Sequence, residues 1–110
     1  MRDAPELTAT AFRERWKQAE ADQVTLLDVR ELEELALAAI AEAVHIPMAE
    51  IPQRLGELRP DRTIVVMCHS GGRSRLVARF LTESGFEQVF NLAGGIDAWS
   101  QQVDSSVPRY

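Results

Sequence analysis

Residues 63–74, TIVVMCHSGGRS, decide the fold because they carry the chain from its most strand-like segment into a polar, glycine-rich turn. The apolar and β-branched run that leads to Cys68 predicts a buried strand. A helix is predicted over residues 74–84, where apolar residues recur at helical spacing. The side chains expected to face a core are Leu76, Val77, Phe80 and Leu81.

The same alternation of strand-like and helix-like segments extends in both directions. Further strands are predicted at residues 23–29, 43–47 and 88–92, and further helices from Thr8 or Thr10 to about residue 19, at residues 31–40 and 52–58, and from Ile96 onward. Strands that alternate with helices indicate an α/β domain with a mainly parallel sheet. Ligands of such domains bind beyond the carboxyl ends of the strands. Residues 102–110 are polar, contain a proline, and are predicted to be loosely packed.

Length and composition restrict the class of protein. The 110 residues predict one domain over residues 1–110, with a core from about residue 7 to 101 and a short C-terminal tail. A content of 45% hydrophobic and 26% charged residues is typical of globular proteins. The net charge of −5 argues against nucleic-acid and membrane partners. The longest apolar run, residues 35–41, is too short to cross a bilayer, and no secretory signal is evident, so a cytoplasmic protein is predicted.

Cys68 is the only cysteine, so an intramolecular disulfide is excluded. A lone thiol is either a small buried hydrophobic residue or a reactive group. Cys68 stands at the last position of a predicted strand and immediately before the glycine-rich turn, and this placement favours the reactive interpretation. His45 and His69 lie in different segments without metal-ligand spacing, so no metal site is predicted.

The turn after Cys68 has the composition of an anion-binding loop. Gly71 and Gly72 allow several backbone N–H groups to turn inward, and the N-terminus of the following helix favours negative charge. A thiol at the base of such a cup is expected to have a lowered pKa and to react as the thiolate. Arg73 either adds to this stabilisation or contacts an anionic donor with its planar fork.

The other polar residues of the loop have two interpretations each. His69 is either a base or, as preferred here, a solvent-facing or hydrogen-bonded side chain. Ser70 and Ser74 either donate hydrogen bonds to the sulfur or cap the turn and the helix, and the residues alone do not decide between these roles.

Four segments together resemble the rhodanese family in their order and spacing. They are residues 26–31 (LLDVRE), 43–47 (AVHIP), 65–74 (VVMCHSGGRS) and 91–99 (NLAGGIDAW). The resemblance implies a rhodanese-like three-layer domain, with a mainly parallel sheet of about five strands and helices on both faces. The sequence differs from the usual family pattern at Leu32, where proline is common, and across residues 38–43, where only Ile40 and Ala43 match.

The resemblance also implies site residues. Cys68 would be catalytic as the carrier of a persulfide. The substrate-binding loop would comprise His69, Ser70, Gly71, Gly72, Arg73 and Ser74. Asp28 and Arg30 would lie nearby as supporting residues; for Asp28 a structural ion pair or a turn contact is the preferred role, and Arg30 would add positive potential.

Loop length separates sulfur chemistry from phosphate or arsenate chemistry within the resemblance. Rhodaneses have six loop residues counted from the cysteine, whereas the related phosphatases and arsenate reductases have one more. Four residues separate Cys68 from Arg73, and the longer loop would need arginine at position 74, which is Ser74. The loop length therefore favours a sulfur substrate.

The implied reaction is a two-step sulfur transfer that needs no cofactor. Cys68 takes sulfur from a donor anion such as thiosulfate and passes it to cyanide, a thiol or a protein. The alternative is a sulfur-relay or regulatory module that hands a persulfide to a specific partner with little thiosulfate turnover. A phosphatase or arsenate reductase and an inactive scaffold are less favoured, because of the loop length and the intact cysteine loop respectively.

Overall fold

A five-stranded parallel sheet forms the centre of the protein. The computed structural model describes residues 3–19 and 23–110. The strands are β1 (Glu6–Leu7), β2 (Val24–Asp28), β3 (Val44–His45), β4 (Thr63–Met67) and β5 (Gln88–Leu92). Their order across the sheet is β1-β5-β4-β2-β3, and every neighbouring pair is parallel. The predicted α/β class with a mainly parallel sheet of about five strands is confirmed.

Helices cover both faces of the sheet. They are α1 (Ala9–Gln18), α2 (Leu32–Leu35), α3 (Ile51–Arg54), α4 (Gly72–Glu83) and α5 (Gly95–Gln102), with single 3₁₀ turns at Met48–Glu50 and Leu55–Glu57. One apolar cluster joins β2 and β4 to α3 and α4, and another joins the opposite side of these strands to α1 and α5. Alternate strand residues enter the two clusters, as Val65 and Val66 do, because side chains alternate across a strand. None of the described helices is long and apolar enough to span a membrane.

Aromatic side chains fix α1 against α5. Thr8, one of the two predicted caps, caps α1 by accepting a hydrogen bond from the N–H of Ala11 at 3.1 Å. Phe12 then stacks on Trp16 with ring centroids 5.0 Å apart, and Trp99 packs against both rings at 5.9 and 6.0 Å.

Two sequence predictions are wrong in detail, and one short strand was missed. The helix predicted over residues 31–40 is a single turn, α2, because the rest of that segment connects the turn to β3 and buries only Ala38 and Ile40. Leu76 and Phe80 are exposed, and the buried face of α4 consists of Ser74, Val77, Ala78 and Leu81. The short strand β1 was not predicted, because two residues show no periodicity.

The segment after α5 is packed, which corrects the prediction of a loose tail at residues 102–110. Val107 is buried and its carbonyl accepts a hydrogen bond from the Ser100 hydroxyl. Arg109 forms an ion pair with Asp97 at 2.8 Å. The predicted looseness rested on polarity and a proline, and neither reports long-range contacts of this kind.

The first turn of α5 donates hydrogen bonds to the backbone carbonyls at the start of the loop that follows β4. The N–H of Ile96 donates to the Cys68 carbonyl at 2.9 Å, and that of Asp97 donates to the His69 carbonyl at 3.1 Å. These donors lie in the first turn of α5, where N–H groups lack partners within the helix. Gly95 has a φ of +60°, and a Cβ there would collide with the same two carbonyl groups.

Gly95→Ala should therefore lower the free energy of unfolding by more than about 2 kcal/mol, since a left-handed backbone is combined with a backbone collision. Gly85→Ala is the matched control: φ is +98° there, but no atom lies within 4 Å of the added carbon. The control should cost about 1 kcal/mol. Urea unfolding followed by tryptophan fluorescence measures both, and equal losses would show that the collision is absent.

Candidate active site

Cys68 lies at the carboxyl end of the central strand, beneath a loop of backbone donors. Its side chain is buried, with 1% of its surface exposed. Its sulfur accepts from the N–H of Gly71 at 3.1 Å and from the N–H of Ser74 at 3.4 Å. Gly71 adopts a φ of 110°, which turns its N–H inward and which an L side chain rarely adopts. Two backbone N–H groups of the loop therefore donate to the sulfur, in the arrangement that the glycine-rich sequence predicts.

These donors favour the thiolate. Burial alone would raise the pKa of the Cys68 thiol. The hydrogen bonds from the Ser74 hydroxyl and N–H, and from the N–H groups of Gly71 and Ser70, outweigh burial and hold this pKa below its ordinary value. The loop thus supplies the stabilisation of negative charge that a nucleophilic sulfur needs.

A buried amide orients the Ser74 hydroxyl. Ser74 Oγ lies 3.3 Å from Cys68 Sγ and 2.6 Å from Asn91 Oδ1. Asn91 Nδ2 donates to the Gly71 carbonyl at 3.1 Å and to Glu6 Oε2 at 2.8 Å, so the amide oxygen faces the serine. The single hydroxyl proton therefore has two acceptors, the amide oxygen and the sulfur. Asn91, on the neighbouring strand β5, links the loop to the sheet.

Arg73 is held by a carboxylate from α2. Its Nη1 and Nη2 donate to Glu34 Oε1 at 2.6 Å and Oε2 at 3.0 Å, a bidentate pair. Glu34 Oε1 also accepts from the N–H of Glu31 at 3.0 Å, and Oε2 from the Tyr110 hydroxyl at 2.6 Å. Four donors fill the acceptor sites of this carboxylate. The Arg73 hydrogen bonds, which outweigh burial, and those from Tyr110 and Glu31 lower the Glu34 pKa to about 2.

Asp28 and Arg30 form a buried ion pair at the end of β2. Arg30 Nη2 lies 2.8 Å from Asp28 Oδ2, and Nε lies 3.0 Å from Oδ1. Arg30 is fully buried; its Nη2 also donates to the Ala38 carbonyl at 2.8 Å and its Nη1 to the Tyr110 hydroxyl at 3.0 Å. The geometry matches the structural ion pair preferred for Asp28, and the positive charge of Arg30 is paired.

Tyr110 lies across the outer side of the loop. Its ring stacks on His69 with centroids 4.1 Å apart and an interplanar angle of 13°. Its hydroxyl donates to Glu34 and accepts from Arg30. His69 is half-buried by this contact. His45 lies apart from the sulfur and contacts the Arg30 carbonyl through Nε2 at 2.7 Å.

The family is shown by comparison with known proteins. The family model described as "Rhodanese-like domain" matches residues 10–102. The chain belongs to the rhodanese family. The chain is 43% identical over 99 residues to "Putative sulfurtransferase YtwF" of Bacillus subtilis (strain 168), with 89% of this chain and 92% of that protein covered.

Two further relatives extend this result. A rhodanese-related protein from Thermoplasma volcanium, solved by crystallography, has a TM-score of 0.80 and 30% identity over 90% of this chain and 93% of its own. The chain is 37% identical over 100 residues to "Putative sulfur carrier protein YrkF" of Bacillus subtilis (strain 168), with 91% of this chain covered. It spans about half of YrkF, 53% of the length.

In this rhodanese-like domain, some of the predicted site residues lie at the sulfur and others lie at the edge of the loop. Cys68, Gly71 and Ser74 make direct contacts around the sulfur. Ser70 and Gly72 lie on the exposed side of the loop, and Arg73 points to Glu34. Within residues 3–19 and 23–110, no three His, Cys, Asp or Glu side chains are close enough together to hold a metal ion.

Three residues of the site were not identified from the sequence. Asn91 was visible as a polar residue inside an apolar strand, which is a sign of a specific buried contact. Glu34 is one of two acidic residues on a short helix and has no distinguishing pattern. Tyr110 is 76 residues from Glu34 in the chain, and no local pattern reports such a contact.

Ser74→Ala should slow alkylation of Cys68 by iodoacetamide by about 2- to 10-fold below neutral pH, because one donor to the thiolate is lost. The midpoint of the pH–rate profile should move to higher pH. Ser70→Ala is the control, since only the backbone N–H of Ser70 stabilises the thiolate. An unchanged profile in Ser74→Ala would show that its hydroxyl serves Asn91 alone.

Glu34 should contribute pH-dependent stability. Its pKa is about 2 in the folded protein and ordinarily 4.5, so the stabilisation is complete above about pH 4.5 and is lost as the pH falls toward 2. At pH 7, Glu34→Gln should lower the free energy of unfolding by about 1 kcal/mol, a figure reduced because Arg73 is partly solvent-screened. Urea unfolding across this pH range measures the difference. Glu33→Gln, an exposed neighbour, should show none, and a pH-independent loss in Glu34→Gln would contradict the ion pair.

Proposed function

We propose that this protein moves sulfane sulfur from a small anionic donor, such as thiosulfate, to a thiophilic acceptor through a persulfide on Cys68. The observation that carries the proposal is the position of Cys68 Sγ beneath the N–H groups of Gly71 and Ser74. Family membership supports the chemistry, and so does the name of the relative YtwF.

The proposed reaction has two displacements. The Cys68 thiolate attacks the outer sulfur of thiosulfate, the S–S bond of the donor breaks, and sulfite leaves with the electron pair. The total charge of −3 is the same on both sides of this step. A cyanide ion or a thiolate then attacks the terminal sulfur of the persulfide and regenerates the Cys68 thiolate. The N–H groups stabilise negative sulfur in both enzyme forms.

The loop residues divide this work. Gly71 and Ser74 supply N–H donors to the sulfur, and the Ser74 hydroxyl is a third donor. Arg73 lies at the rim of the loop, where it contacts the donor with the N–H groups that Glu34 leaves unused. His69 and Tyr110 form an aromatic wall beside the path of the acceptor.

A second candidate is a sulfur carrier that passes its persulfide to one protein partner. The similarity to YrkF favours it, and so does the position of Tyr110 over the loop, because a bulky acceptor has to meet or move this side chain. The two candidates share the persulfide and differ in the acceptor. Turnover with cyanide at a steady rate favours the enzyme, whereas slow turnover with cyanide and fast transfer to a protein thiol favours the carrier.

The test is an intact-protein mass spectrum taken before thiosulfate, after it, and again after cyanide. The mass should rise by one sulfur atom, the added sulfur should map to Cys68, and cyanide should return the original mass. Cys68→Ser should remain unmodified while its far-ultraviolet circular dichroism matches the parent.

The control is a panel of donors. If thiosulfate, a thiosulfonate and an alkyl persulfide all leave Cys68 unmodified in a folded protein, both candidates are wrong. If sulfur is taken up elsewhere in Cys68→Ser, the assigned residue is wrong.

A further inference from the structure

Three arginines around the loop are paired with carboxylates, and this pairing bears on which donors the site prefers. Arg73, Arg30 and Arg109 each face a carboxylate, at 2.6, 2.8 and 2.8 Å. The carboxylates are those of Glu34, Asp28 and Asp97. Asp97 also donates its N–H to the His69 carbonyl, so the third pair adjoins the loop. These three pairs therefore contribute little net positive charge to the loop, and the backbone N–H groups stabilise the sulfur.

Glu34 has the strongest influence among these carboxylates because it contacts the loop arginine itself. Its oxygens take four hydrogen bonds, two of them from Arg73. Tyr110 donates one of the others while it accepts from Arg30, so the carboxylate is also held by a partner that is itself anchored apart from Arg73. A carboxylate held in this way does not rotate away when an anion arrives.

We propose that Glu34 determines how far the site favours a doubly charged sulfur donor over a singly charged one, by cancelling the positive charge of Arg73. The inference rests on the proposed function, since it names the class of donor for the same loop. Glu34 acts through Arg73 and is thus a specificity-determining positioning residue. With Glu34 ionised, thiosulfate gains little from its second charge, and singly charged donors with a larger substituent, such as thiosulfonates, compete well.

Two donors isolate the effect because they break the same type of bond. Thiosulfate carries two charges and releases sulfite; methanethiosulfonate carries one and releases methanesulfinate. In each case the Cys68 thiolate takes the outer sulfur, the leaving group keeps the electron pair of the S–S bond, and no proton or oxidant is consumed. The donor ratio, kcat/KM for thiosulfate divided by kcat/KM for methanethiosulfonate, removes changes that affect both donors equally.

The first variant is Glu34→Gln, which removes the charge and keeps the shape. The donor ratio should rise by about three- to tenfold, because the freed Arg73 charge attracts the dianion more strongly than the monoanion. The rise should shrink as ionic strength increases from about 0.02 to 0.5 M. Glu33→Gln makes the same change in net charge one residue away, on an exposed position, and should keep the parent ratio.

The double variant Glu34→Gln, Arg73→Gln tests whether Glu34 acts through Arg73. Arg73→Gln alone leaves the Glu34 charge uncancelled and should lower the donor ratio by about three- to tenfold. The double variant restores neutrality and should return the ratio to near the parent value. If Glu34→Gln alone fails to fold, as judged by circular dichroism, the donor ratios of Arg73→Gln and the double variant still test the inference, because the double variant leaves neither charge of the pair without its partner.

The outcomes separate this inference from the function on which it rests. If neither donor forms a Cys68 persulfide in the parent protein, the proposed function fails. If both donors form it but Glu34→Gln keeps or lowers the ratio, the function stands and the inference is overturned. A double variant with the same ratio as Arg73→Gln, or a Glu33→Gln variant that shifts as much as Glu34→Gln, also overturns it.

Discussion

The parallel pairing of β4 with both β2 and β5 is the interaction on which the rest of the structure depends. Its register sets Met67 beside Asp28 and Val66 beside Asn91, so three strands end together at one edge. Cys68 is the next residue on the central strand. Asp28 brings Arg30 to the edge, and Asn91 brings the amide that orients Ser74. A change of register by one residue would turn these side chains toward the opposite face of the sheet.

Much of the fold was predictable because buried parallel strands have a clear sequence pattern. The branched, apolar residues of β2, β4 and β5 and the glycines around α4 and α5 predicted strands, turns and helices close to their observed bounds. The segment between α2 and β3 was not predictable in this way. Its alanines favour a helix locally, but the short path back to the sheet edge allows only one turn. Leu76 and Phe80 illustrate the same limit. The apolar face of α4 is wide, and the sequence does not indicate which edge of that face packs against the sheet and which is exposed to solvent.

The site divides similarly into local and long-range parts. The cup around Cys68 follows from a contiguous sequence, and its donors are those that the glycines and the helix N-terminus predicted. The carboxylate that pairs with Arg73 cannot be predicted from this contiguous sequence. Glu34 lies 39 residues away, on a helix where the preceding residue, Glu33, is also acidic. Only the packing of α2 and Tyr110 against the loop distinguishes Glu34 from Glu33, and that packing is a property of the folded chain.

Three arginines beside the loop are neutralised by carboxylates, and the loop N–H groups are directed at Cys68. This arrangement suits a reaction in which negative charge moves from one sulfur to another while the total charge stays the same. On the proposed function, the site begins with a thiolate and a donor anion and ends with a persulfide anion and a leaving anion. A strong fixed positive charge would bind both anions tightly and would slow release of the product without aiding the step itself. N–H groups directed at Cys68 act at the atom where bonds change, whereas the charge of Arg73 acts at the rim. On the proposed function, pairing Arg73 with Glu34 keeps the electrostatic stabilisation concentrated on the reacting sulfur, and the proposed role of Glu34 opens the rim to donors of different charge.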